Sequence, residues 1–179
     1  SEACSLIPLK RFVRLNTLHC LGYRHLGTTF EFHTEFPAIP HLSHLGISGP
    51  KPEFWPLLKP FIGQLQRLGF RQQHEGHGDT AKWDGLFALG EIEAIGIGDL
   101  VDVDDNSLSR FAKMPRLKSL DIAVFGNHSK YTPKGIAAFR TQRPDVYLRF
   151  GIDGKTHELQ PLTSWPGKED GQGISAWSL

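Results

Sequence analysis

The sequence predicts an α/β fold of the solenoid kind. About six short units wind as a right-handed coil, with a parallel sheet on the concave face and helices or irregular turns on the convex face. A C-terminal hairpin closes the coil. Three observations predict this. An apolar-x-x-apolar-x-apolar phrase recurs as Leu15, Leu18, Cys20; Leu42, Leu45, Ile47; Leu65, Leu68, Phe70; Ile92, Ile95, Ile97; and Leu117, Leu120, Ile122, with a clipped copy at Val146, Leu148, Phe150. The five full copies start at positions 15, 42, 65, 92 and 117, so they lie 27, 23, 27 and 25 residues apart. Self-similarity at such a period marks stacked repeats. Most copies are then followed by residues that begin and end a helix or turn. Finally, Asp153-Gly154 stands between two extended runs, the pattern of a tight hairpin.

Taken in order, residues 1–11 form an N-terminal cap or the end of a preceding repeat, with Leu6, Ile7, Leu9 and neighbouring Phe12 as its apolar side chains. Residues 12–152 form the solenoid. Each phrase is a short strand whose side chains alternate between two faces. After the second strand, Pro56 and Pro60 surround Leu57, Leu58, Phe61 and Ile62. Prolines four apart deny a regular α-helix, so short turns of helix are expected there. After the third strand, Asp79 or Thr80 starts a helix that carries Leu86 and Leu89. After the fourth, Asp104, Asp105, Asn106 and Ser107 supply helix-starting side chains, and Leu108 and Phe111 form the apolar stripe. After the fifth, Thr132 is the N-cap, Pro133 takes the first helical position, Ile136 and Phe139 share one face, and Pro144 stops the helix. Residues 153–163 hold the C-terminal hairpin strand, which protects the edge of the sheet. Residues 164–179, rich in Gly, Ser and charge, form a flexible or docked tail. Its Trp165 and Trp177 either pack on the solenoid or anchor a partner.

This phrase, with its period and its following helices, resembles the leucine-rich repeat superfamily over roughly residues 12–152. The longer, helix-bearing units are closest to the intracellular, ribonuclease-inhibitor-like subtype. One family feature is absent. The ninth position of each unit, which in the family usually carries the Asn or Cys that links neighbouring loops, here holds Tyr23, Pro50, Gln73, Leu100 and Phe125. The resemblance implies a non-catalytic module that binds a protein partner, standing alone or as a subunit or fragment of a larger assembly.

Composition narrows the function. The chain has 20 Lys and Arg against 19 Asp and Glu, a formal net charge of +1, so no broad field points to nucleic acid or anionic lipid. No apolar run approaches the ~20 residues that span a bilayer. The start lacks the pattern of a signal peptide. Cys4 and Cys20 are too few for a disulfide framework. These observations lead us to expect a cytoplasmic protein with no cofactor.

The candidate partner-binding residues follow from strand alternation. In each unit the fourth and sixth positions point into the core, so the third, fifth and seventh face the concave surface. Three successive fifth positions are Gly46, Gly69 and Gly96, which predicts a shallow, nearly bare trough. Its rim carries Arg67 and Arg71 in one unit, and Asp121 and Arg149 further along, and His44 on the same face is a further partner-binding candidate. The alternative is a metal-binding domain or metal-dependent enzyme built on the loop His74-Glu75-Gly76-His77-Gly78-Asp79. There His74, His77 and Asp79 are suitable ligands, although they lack the helical spacing that usually fixes such a set. A third reading is a small inhibitor or immunity-type protein, which differs from the first only in its partner. No nucleophile elbow, phosphate-binding loop or dinucleotide fingerprint is present, and no catalytic residue is expected.

Overall fold

The computed structural model describes residues 14–20, 39–48, 52–71, 83–98, 103–122, 130–152 and 154–162. The expected N-terminal cap, the tail, the ninth positions and the helix start at Asp79 or Thr80 all lie outside the described residues.

Seven strands form one sheet in sequence order. They are β1 (Thr17–Cys20), β2 (His44–Ser48), β3 (Arg67–Arg71), β4 (Ala94–Ile97), β5 (Ser119–Ile122), β6 (Tyr147–Ile152) and β7 (Lys155–Leu159). The first six are parallel, and their register is set by the phrase. Leu18, Leu45, Leu68, Ile95, Leu120 and Leu148 stand side by side as one row. Cys20, Ile47, Phe70, Ile97, Ile122 and Phe150 form a second. A one-residue slip would turn every apolar side chain to the other face, so burial of one face fixes this alignment.

The rungs are also tied just before each strand. The carbonyls of Asn16, Ser43, Gln66 and Glu93 each accept from two successive backbone amides of the next rung: Ser43 and His44, Gln66 and Arg67, Glu93 and Ala94, Lys118 and Ser119. The Lys118 carbonyl accepts from Tyr147 alone. The same paired device thus recurs at the first four of the five steps of the parallel sheet.

The described helical segments between strands pack against the apolar face. A 3-10 helix spans Pro52–Phe61, α1 spans Asp84–Phe87, α2 spans Asp105–Ala112 and α3 spans Pro133–Gln142. The core lies between these and the sheet. Leu42, Leu65, Ile92 and Leu117 are buried with the two strand rows from β2 onward, and Leu58, Leu86, Leu108, Phe111, Ile136 and Phe139 close it from above. At about 1.5–3 kcal/mol for each fully buried large aliphatic or aromatic side chain, these rows are the main favourable contribution to folding. Aromatic rings join the layers. Phe70 meets Trp55 and Trp83 edge-on, with centroids 5.3 and 5.5 Å away, and Phe87 lies 4.9 Å from Phe111.

Local chemistry explains α2 and α3 as expected. Asp104 caps α2, accepting from the Ser107 amide at 2.7 Å within a capping box. Thr132 caps α3 through the Gly135 amide, with Pro133 in the first turn, and the helix ends before Pro144. Two expectations need correction. The second unit's return segment is one continuous ten-residue 3-10 helix rather than separate short turns. Pro56 and Pro60 are exposed while Trp55, Leu58 and Phe61 are buried, so three-residue spacing keeps the prolines outward and the large side chains inward. In addition, Leu89 is buried but lies beyond α1, which among the described residues is a single turn with no side-chain cap.

The hairpin forms as expected. Asp153-Gly154 joins β6 to antiparallel β7, with Ile152 opposite Lys155, and Gly154 adopts φ 71°.

Candidate functional site

The sheet face opposite the helices carries the third- and fifth-position rows. The third-position row runs Thr17, His44, Arg67, Ala94, Ser119 and Tyr147 across β1 to β6. The fifth-position row runs His19, Gly46, Gly69, Gly96, Asp121 and Arg149, and continues onto Glu158 of β7. The expected residues Gly46, Gly69, Gly96, Asp121 and Arg149 are therefore neighbours in one line, with His44 and Arg67 beside them in the next. Arg71 lies in β3 opposite Ser48, and its side chain is outside the described set.

The face has two unlike ends. At the β2–β4 end three glycines lie side by side. Gly46 and Gly96 are buried and Gly69 is half-buried, so the trough floor is not the bare surface expected. A strand backbone flanked on both sides by paired strands shows little surface of its own. His44 is half-buried, its Nδ1 sharing a 2.7 Å hydrogen bond with Ser43 Oγ. The Arg67 side chain is exposed and makes no hydrogen bond or ion pair with the described residues.

At the β5–β7 end the charges are engaged with one another. Asp121 is only 4% exposed, and its Oδ2 accepts from Arg149 Nη1 at 3.1 Å. Arg149 Nε lies 3.8 Å from Glu158 Oε1, which is ion-pair range without a hydrogen bond. The order Asp121, Arg149, Glu158 across three adjacent strands alternates negative, positive, negative, and like charges are never directly opposite. Tyr147 stands next to this group. Desolvation first, and then the charge and hydrogen bond of Glu158, push its phenol from near 10 up to about 12. Asp121 and Arg149 were expected on an open rim. They instead pair with each other in the sheet, because a buried carboxylate needs a charged donor beside it, and the buried Arg149 Nε is left without a hydrogen-bond partner among the described residues.

The sequence reading omitted Glu158 from the site. The signal for it was present: a two-residue Asp-Gly turn fixes the hairpin register, and counting outward from the turn sets Glu158 opposite Arg149. Among the described residues there is no group of three His, Cys, Asp or Glu placed to hold a metal ion. The candidate ligands His74, His77 and Asp79 lie outside the described residues. Among the described residues no helix is long and apolar enough to cross a membrane. An α/β fold with a seven-stranded, mostly parallel, open sheet is thus the class that the structure defines. No protein-family model, curated protein or solved structure matches the chain.

Proposed function

We propose that the chain is a right-handed solenoid of about six leucine-rich repeats, and that it acts as a non-catalytic module binding a protein partner on the concave sheet face. One observation carries this reading. The parallel register aligns equivalent positions of successive rungs into uninterrupted rows on one face, from Thr17 to Tyr147 and from His19 to Arg149. Such rows give a broad surface whose side chains can vary without disturbing the buried rows behind them. Within the run Gly46, Gly69 and Gly96, the half-buried Gly69 is the point where a partner's backbone would meet the sheet.

The test uses the purified chain as bait beside a Gly69→Trp variant. A protein retained by the wild type and lost from the variant, with the variant's melting temperature unchanged, supports the reading. An identical set of retained proteins overturns the face as the binding surface.

A further inference from the structure

We infer that the segment docking on this face is acidic, and that Arg67 is the residue that reads its charge. This rests on the binding role proposed above and adds the chemistry of the partner. Two arginines stand in these rows, and their surroundings differ. Arg149 has its charge answered within the fold: Asp121 accepts from it at 3.1 Å and Glu158 lies 3.8 Å away. Arg67 has nothing equivalent. Its side chain is exposed and forms no hydrogen bond or ion pair with the described residues, and its register neighbours are His44 and Ala94. Neither row holds a carboxylate from β1 to β4, since those positions are Thr17, His44, Arg67 and Ala94 in one, and His19 and three glycines in the other.

The β2–β4 end therefore has an unanswered guanidinium beside a titratable imidazole, while the β5–β7 end is closed to further anions by its own Asp121 and Glu158. A guanidinium presents a planar fork that matches a carboxylate in two hydrogen bonds, which a lone ammonium cannot do. A segment with Asp or Glu against Arg67 gains that contact, and one with Lys or Arg meets repulsion.

The experiment measures binding of fluorescein-labelled oligo-glutamate and oligo-glutamine peptides of equal length, by anisotropy, to the full chain and to Arg67→Gln, Arg149→Gln and Gly69→Trp variants. The oligo-glutamate peptide is expected to bind the wild type and the oligo-glutamine peptide much more weakly. Arg67→Gln should weaken oligo-glutamate binding about tenfold, the loss of one charge-assisted hydrogen-bonded contact. Arg149→Gln should weaken it far less. The inference is overturned if oligo-glutamate does not bind the wild type, or binds Arg67→Gln as tightly. Loss of binding in Gly69→Trp together with full retention in Arg67→Gln would overturn the charge reading while leaving the face as a binding surface. Unchanged binding in both variants would overturn the two together. Since the Arg67 side chain is exposed and bonded to none of the described residues, its substitution should leave the melting temperature in place, so lost binding cannot be lost folding.

Discussion

The N-terminal and C-terminal halves of the sheet use the same rung and hold it in different ways. Among the described residues from β2 to β4, the helical side holds a proline-bearing 3-10 helix and a single α-turn without a side-chain cap. From β4 to β6 they are two capped α-helices with polar ties that reach across units. Asp105 accepts from both the amide and the hydroxyl of Thr132 at 2.8 Å. Tyr131 Oη donates to the Gly151 carbonyl and accepts from the Gly151 amide. Arg143 donates to the carbonyls of Ala112, Met114 and Leu117 and pairs with Asp145. The strand register is the same in both halves. The rung therefore needs only an apolar cover over its buried rows, and the cover's backbone conformation is free to vary.

The comparison can be broken most sharply at Arg143. Its guanidinium satisfies three backbone carbonyls where α2 runs into β5, so Arg143→Met leaves those acceptors short and should cost about 3 kcal/mol. Urea unfolding followed by circular dichroism measures it, and a cost near zero would show that the ties of the C-terminal half are incidental. Next comes Gly85, at the seam where α1 meets the 3-10 helix. A Cβ there would stand 2.4 Å from Trp55 Cβ, an atom fixed close to its own backbone. Gly85→Ala should destabilise by about 2 kcal/mol, overpacking outweighing the ~1 kcal/mol that alanine normally gains over glycine in a helix. Gly90→Ala is the control, because its nearest neighbour would be Pro115 Cδ at 3.8 Å, an ordinary contact. Equal melting temperatures for Gly85→Ala and Gly90→Ala would contradict the close packing of that seam.

The smallest expected effect is on pH dependence, and it belongs to the C-terminal half. The folded chain holds the Tyr147 proton more tightly than the unfolded chain, with its phenol pushed up to about 12. That contribution to stability is complete below pH ~10 and is lost as pH rises through about 12. Asp145 acts at the other limit. Its hydrogen bond from Arg143 holds its carboxyl below the usual range, so its contribution is present above the ordinary carboxylate value and is lost as pH falls through the lowered one. Tyr147→Phe should flatten the alkaline side of the stability profile and leave the acid side as it was. An unaltered alkaline side would remove Tyr147 from the account.

How far each feature was legible in the sequence depends on its range. The rows were legible because one apolar spacing repeats, and the register follows from which face is buried. The caps of α2 and α3 were legible because each is local: Asp104 and Ser107 lie three residues apart, and Thr132 stands next to Pro133. The unbroken 3-10 helix was not, since two prolines exclude an α-helix without saying what replaces it. Arg143 was not legible either, as its acceptors lie 26 to 31 residues away and no local pattern marks them. At the candidate site the line-up of Gly46, Gly69, Gly96, Asp121 and Arg149 followed from alternation. The burial of Asp121 did not, because it depends on what stands beside and above a strand position rather than on the position itself.

The paired amides that converge on the carbonyls of Asn16, Ser43, Gln66 and Glu93 set where this chain can change length. An insertion inside the stretch from such a carbonyl to the end of its strand would misalign every partner on both sides. An insertion in the cover lengthens a detour that starts and finishes at the same two anchors. Natural variation and engineered loops alike should therefore collect on the helical side, leaving the ruled surface opposite untouched.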